Sequence, residues 1–209
     1  MAGVNRVVVQ GAVEGPADEA VLRRVIAEAG AVPGHVHIKN GKANLLARLQ
    51  GYNNAARLGP WVVLIDLNGD EECAPAARES WLPSPAPHMC FCVAVRQVEA
   101  WILADRERLA QFLGIAASRV PADPESLAEP KRVVVDLARR SRRRNIREDM
   151  VPRPGSGRTQ GPAYVSRMME FVMDSASGWR PDVAATLSAS LDRCMASVRR
   201  LAQAASQPT

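Results

Sequence analysis

Long apolar runs are missing from this 209-residue sequence; nothing approaches the roughly 18 consecutive apolar residues that a membrane-spanning helix needs. No membrane partner is expected on that ground. The first residues also lack the charged-then-apolar pattern and small-residue cleavage site of a secretory leader, so a cytoplasmic location is the expectation. Paired cysteines are missing too. The four (Cys73, Cys90, Cys92, Cys194) contain no C-x-x-C. Cys90 and Cys92 stand two apart in a strand-like Met-Cys-Phe-Cys-Val-Ala-Val, pointing to one face, which reads as buried thiols rather than a zinc site.

Further absences narrow the chemistry. Gly155-Ser156-Gly157 matches neither a P-loop nor a dinucleotide fingerprint, and no G-x-S-x-G nucleophile elbow occurs. Three histidines are few. His35 and His37 share a strand face, but with His88 they lack the Cys or Asp spacing of a transition-metal site and read as ordinary hydrogen-bonded histidines.

What is present is an ordinary globular composition, 47% apolar and 23% charged, with a net charge of +5. Strand and helix signals alternate through the first half. Strands are predicted at 6–13, 35–38, 61–65 and 88–95, and helices at 17–29, 42–58 and 70–81. The run at 61–65 is almost wholly apolar, as in a strand buried on both faces. A β-α-β-α-β-α-β order implies a mostly parallel four-stranded sheet flanked by helices. From 98 onward the pattern is helical: 98–105, 106–113, 130–140, 162–173 and 184–204. The Pro- and Gly-rich stretch 152–161 is a loop. We therefore divide the chain into an α/β core over 1–97 and a C-terminal helical region, 98–209, packed on it.

Ligands of open parallel sheets gather beyond the carboxyl ends of the strands. Each predicted strand runs out at or near a charged residue, and parallel pairing brings Glu14, Lys39, Asp66 and Glu99 to one edge. Two or three carboxylates suffice for a hard cation such as Mg²⁺ or Mn²⁺, which could activate water and offset charge on a phosphoryl group. Lys39, or another base nearby, would neutralise what remains. Simpler readings stand beside these. Asp18 and Glu19 suit the first turn of a helix, and Glu99 suits the opening of its own. Asp66, Asn68 and Asp70 suit a turn, although their D-x-N-x-D spacing lacks the glycine and distal Glu of a calcium loop. Arg139, Arg140, Arg142, Arg143, Arg144 and Arg147 crowd nine positions and read either as a solvated helix face or as contacts to nucleic-acid phosphates.

The segment Val13-Glu14-Gly15-Pro16-Ala17-Asp18-Glu19, followed by Val62-Val63-Leu64-Ile65-Asp66-Leu67-Asn68, resembles the Toprim domain of topoisomerases, primases and OLD-type nucleases. More narrowly, Val98-Glu99-Ala100-Trp101-Ile102-Leu103-Ala104-Asp105, Glu129-Pro130-Lys131 and Gly161-Pro162-Ala163-Tyr164 look like the bacterial domain of unknown function 4276. The resemblance spans about residues 6–191 and implies a Toprim-like, Rossmann-like fold. It implies Glu14 as general acid/base, Asp66 as a Mg²⁺ ligand and Asp18 as the matching further acid, with Glu19 beside it. Glu99 and Lys131 are carried over as site candidates. Asn68 stands where the family has a second Asp; its amide brings no charge, so metal affinity drops unless Asp70 compensates. The implied function is a Mg²⁺-dependent nuclease or related phosphoryl-transfer enzyme, working by family analogy beside a partner ATPase in phage defence. The alternatives are a catalytically inactive nucleic-acid- or partner-binding module, and a phosphatase or nucleotide-processing enzyme.

Overall fold

A computed structural model describes residues 6–69 and 73–206. Its first half runs β1 (Val8–Val13), α1 (Pro16–Glu28), β2 (Val32–Ile38), α2 (Lys42–Ala55), β3 (Trp61–Asp66), α3 (Ala74–Trp81) and β4 (Met89–Ala94). Helices follow: α4 (Val98–Ala104), α5 (Arg106–Leu113), a 3₁₀ turn at Ala117–Arg119, α6 (Pro130–Arg139), α7 (Arg144–Met150), α8 (Tyr164–Met173), α9 (Pro181–Ala185) and α10 (Ala189–Ser206). The four strands form one all-parallel sheet in the order β2-β1-β3-β4, a Rossmann-like α/β architecture. No helix among the described residues is long and apolar enough to cross a membrane.

The two-residue period of the strands divides the core. On β3, Val62 and Leu64 point to one face of the sheet while Val63 and Ile65 point to the other. On β4, Cys90, Cys92 and Ala94 join the first set; Phe91 and Val93 join the second. The first face is covered by α1 and the helices from α4 onward, the second by α2 and α3. One apolar cluster therefore runs from Val9 in β1 to Ala202 in α10, so the helical region shares its core with the sheet. At its centre lies α4, all seven residues of which are buried.

Three local departures from the sequence expectation have physical reasons. Strand β2 begins at Val32 rather than 35, because it is an edge strand, where Pro33 is tolerated. Helix α7 lies inside the arginine-rich run, held by Ile146 and Met150 on one buried face. The expected helix at 184–204 is broken into α9 and α10. Ser188 accepts from the Leu191 N–H, while the Glu125 carboxylate accepts from the Ser188 hydroxyl (2.6 Å) and from the Ser190 N–H (2.9 Å) and hydroxyl (2.6 Å). A cap assembled from a residue 63 positions away starts a new helix there.

Strand order reverses between β1, which leads outward to β2, and β3, which leads outward to β4. Open parallel sheets bind ligands at this switch point, beyond the carboxyl ends. Glu14 and Asp66 follow and end those two strands.

Candidate functional site

Three strands release the chain in the same way. The residue two past each strand end, Asn40 after β2, Asn68 after β3 and Arg96 after β4, has a left-handed backbone, with φ of 54°, 52° and 50°. Asparagine tolerates that region; arginine visits it rarely. Parallel pairing continues past the strands through Leu67 N–H to Ala94 O (2.9 Å) and Asn68 N–H to Arg96 O (2.8 Å). These turns form the rim of a pocket lined by Glu14, Asp18, Asp66 and Glu99, together with Asn40, Asn68, Gln97, Lys131, Gln160 and Tyr164.

Each carboxylate is set by local structure. Glu14 accepts a hydrogen bond from the Asp66 N–H (2.9 Å), which joins the two sides of the switch point directly. Asp18, in the first turn of α1, accepts from the Gly15 N–H (2.7 Å) and so caps its helix while facing the pocket. Asp66 is 9% exposed, and its Oδ1 accepts from the Val98 N–H (2.9 Å) at the start of α4. Glu99 is 2% exposed. Its Oε1 lies 3.5 Å from the Lys131 ammonium and accepts from the Tyr164 hydroxyl (3.3 Å), whereas its Oε2 is buried with no hydrogen-bond partner.

Four acids thus face one lysine, and proton affinities register the imbalance. Burial, reinforced by Glu99 and Glu14, pushes the Asp18 carboxyl up to about 7. Burial also holds Asp66 well above the carboxylate range, with Asp18, Glu99 and Glu14 adding to it. Burial pulls the Lys131 ammonium down, but Glu99, Asp66 and Asp18 outweigh this and raise it. Burial and Glu99 raise the Tyr164 phenol, which stays protonated and able to donate. The donor set is entirely hard oxygen, and a buried carboxylate oxygen without a partner is costly; both features fit a divalent cation. Among the described residues no three His, Cys, Asp or Glu side chains already stand as a ready cage for an ion. Mg²⁺ does not require one, since it keeps several waters and takes one or two carboxylates.

The remaining sequence candidates lie elsewhere. Glu19 pairs with Arg23 (2.9 Å) along α1. The Lys39 ammonium sits 5.8 Å from the centre of the Tyr52 ring, away from the pocket lining; Lys131 occupies the cationic position instead. Lys42 donates to the carbonyls of Asp66 (2.6 Å) and Leu67 (3.0 Å), securing the end of β3. Asp70 lies outside the described residues. The arginines of the run make separate contacts. Arg143 donates to the Phe112 carbonyl (3.2 Å), Arg147 to that of Ser141, and Arg144 pairs with Glu148 (2.8 Å). Arg140 and Arg142 are exposed. Arg139 alone of the six reaches the cavity beside the pocket, which is lined by Arg96, Lys131, Arg132 and Arg158 as well. Tyr164, Gln97, Arg96 and Arg158 were not among the sequence candidates. Only Tyr164 left a trace, in the Gly-Pro-Ala-Tyr segment.

The chain matches no protein-family model, and no curated protein or solved structure matches it significantly.

Proposed function

We propose that the chain is a divalent-metal-dependent phosphoryl-transfer enzyme acting on nucleic acid, of nuclease type. The observation that carries this reading is the Glu99 carboxylate, which is buried, short of one partner, and set among Glu14, Asp18 and Asp66 with Lys131 as the single lysine. Such a charge deficit is met either by protons or by a cation. Asp18, Asp66 and Glu99 would hold Mg²⁺ or Mn²⁺ together with Glu14. When bound, the ion would supply Lewis-acid stabilisation of a phosphoryl oxygen and lower the proton affinity of a water.

The chain's own groups divide the remaining work. Glu14, oriented by the Asp66 N–H, serves as general acid/base at the pocket mouth. Lys131, raised by its acidic neighbours, remains charged and offsets negative charge that develops on phosphate oxygens. Tyr164 holds Glu99 in place by donating to Oε1.

The test is hydrolysis of labelled single-stranded DNA, duplex DNA and RNA with Mg²⁺ or Mn²⁺, against an EDTA control. Glu99→Gln and Asp66→Asn should abolish cleavage, and calorimetry should show weaker metal binding. A wild-type protein that neither binds the cations nor cleaves any substrate would refute the proposal. Asn68 favours a second reading, a non-catalytic binding module. Its left-handed backbone accommodates an amide well, and that amide brings no charge to the pocket rim. In that case nucleic acid binds equally with Mg²⁺ or with EDTA, and no variant alters any chemistry.

A further inference from the structure

Beside the carboxylate pocket lies a larger cavity of about 690 Å³, and Asn68, Gln97 and Lys131 line both. Its walls come from the turns after β3 (Asn68) and β4 (Arg96), one face of α6 (Arg132, Val135, Asp136, Arg139) and the loop carrying Arg158 and Thr159. Among the described residues five cations meet two acids there. The acids are already committed on α6, Glu129 to Arg132 (3.0 Å) and Asp136 to Arg139 (3.8 Å). Among the described residues Arg96 and Arg158 have no carboxylate partner. Arg96 is also placed with unusual care. Its backbone takes φ 50°, its carbonyl accepts from Asn68 N–H, and its guanidinium donates to the Asn68 carbonyl (3.2 Å).

The volume matches clefts that enclose a small molecule, which suits a nucleotide or two of one strand rather than the width of a duplex. Past Arg139 and Pro152 the path continues into a second cavity of about 740 Å³, lined by Arg147 and Arg153 with Glu148 and Asp149. A track of that extent suits a polymer better than a free nucleotide.

We propose that this cavity seats one strand of a polynucleotide, with Arg96 and Arg158 gripping the phosphate next to the one that reaches the carboxylates. The inference rests on the phosphodiester reading above. Arginine suits the task because its planar fork meets phosphate oxygens bidentately and stays charged at any working pH.

Fluorescence anisotropy in EDTA tests it, using a labelled 12-nucleotide single strand, the matching duplex and an unlabelled nucleoside monophosphate as competitor. The double variant Arg96→Asn, Arg158→Ala is suitable because asparagine accepts the left-handed backbone; thermal melting checks that it folds. Arg119→Ala, on the remote 3₁₀ turn, is the control. The double variant should weaken single-strand binding at least tenfold. It should also flatten the dependence of log affinity on log salt by about 1.4, at about 0.7 for each arginine charge removed from the phosphates. The control should bind as wild type does. Unchanged affinity in the folded double variant overturns the proposal, as does equally tight duplex binding, equal competition by the mononucleotide, or no binding by wild type. If binding follows the expected pattern but no cation supports cleavage, the seat stands and the enzyme reading falls. If cleavage occurs while the double variant binds normally, the reverse holds.

Discussion

Removing a charge from the carboxylate pocket should stabilise the protein, and Asp18→Asn is the substitution that isolates the effect. The asparagine oxygen can still accept from the Gly15 N–H, so the helix cap survives while the charge goes. In the folded chain, burial together with Glu99 and Glu14 raises Asp18 from 3.8 to about 7. At about 1.4 kcal/mol per pH unit, an ionised Asp18 costs the fold on the order of 4 kcal/mol relative to a protonated one. Water at the open side of the pocket screens part of this, leaving about 2–4 kcal/mol, or roughly 4–16 °C in melting temperature for a chain of this size.

The pH dependence gives the prediction its sign. A group whose proton affinity rises on folding stabilises the folded state fully below its unfolded value and loses that contribution as pH climbs through its folded value. Wild type in EDTA should therefore lose stability between about pH 4 and pH 7, and Asp66, raised in the same direction, steepens the loss. The variant's advantage should be nearly absent at pH 4 and complete at pH 8. Urea denaturation followed by circular dichroism at both pH values measures it. Millimolar Mg²⁺ or Mn²⁺ at pH 8 should then raise wild type more than the variant, narrowing the gap. If Asp18→Asn is no more stable than wild type at pH 8 in EDTA, the acids do not strain one another, and the argument from charge deficit fails.

Arg180→Ala removes both guanidinium contacts (3.0 and 2.7 Å) to the Asp105 carboxylate, which is 1% exposed, and leaves it only backbone N–H donors; urea titration should show a loss of about 3–5 kcal/mol, with Arg180→Lys recovering little of it. A loss under about 1 kcal/mol would count against a buried pair. Glu125→Ala should cost about 1–3 kcal/mol by the same measurement, because the Ser190 N–H and two serine hydroxyls lose their acceptor at the start of α10. Gly161→Ala would press a Cβ into backbone atoms of Asp149, Met150 and Val151; limited proteolysis should show faster cutting within 152–160, together with weaker single-strand binding. Leu58→Ser, at a side chain 93% exposed, should leave the melting temperature unchanged.

The parallel sheet was legible because its signal is periodic and local. The buried run of β3 and the helix-starting Pro16 announce themselves without tertiary context. Glu14, Asp66 and Glu99 could be brought together from topology alone, since parallel strands carry their carboxyl ends to one edge. Lys39 shows where that reasoning stops. Position along a strand brings a residue to the edge, but side-chain direction decides which side of the edge it serves, and Lys39 turns toward Tyr52. Lys131 reaches the pocket from a helix 32 positions beyond Glu99, a meeting that only the packing of α6 against α4 creates. The arginine run spans the end of α6, the connection after it and α7, and all six side chains are exposed. Composition alone could not say that Arg139 and Arg147 would line one cavity, which depends on how α6 and α7 pack. The cap from Glu125 left no local signal at all.

The carboxylate pocket and the cavity beside it are built from unequal material. Glu99 rises from α4, every residue of which lies in the molecule's interior, so altering that side disturbs the whole core. Residues 152–160, which are neither helix nor strand and are mostly open to solvent, contribute Pro152, Arg158 and Thr159 to the neighbouring cavity and Gln160 to the carboxylate pocket. On the proposed function, natural variants or laboratory libraries could recut this loop, changing which strands are admitted and in what orientation, while the carboxylates stayed where they are. Preference and reactivity would then drift independently, each with its own stretch of sequence.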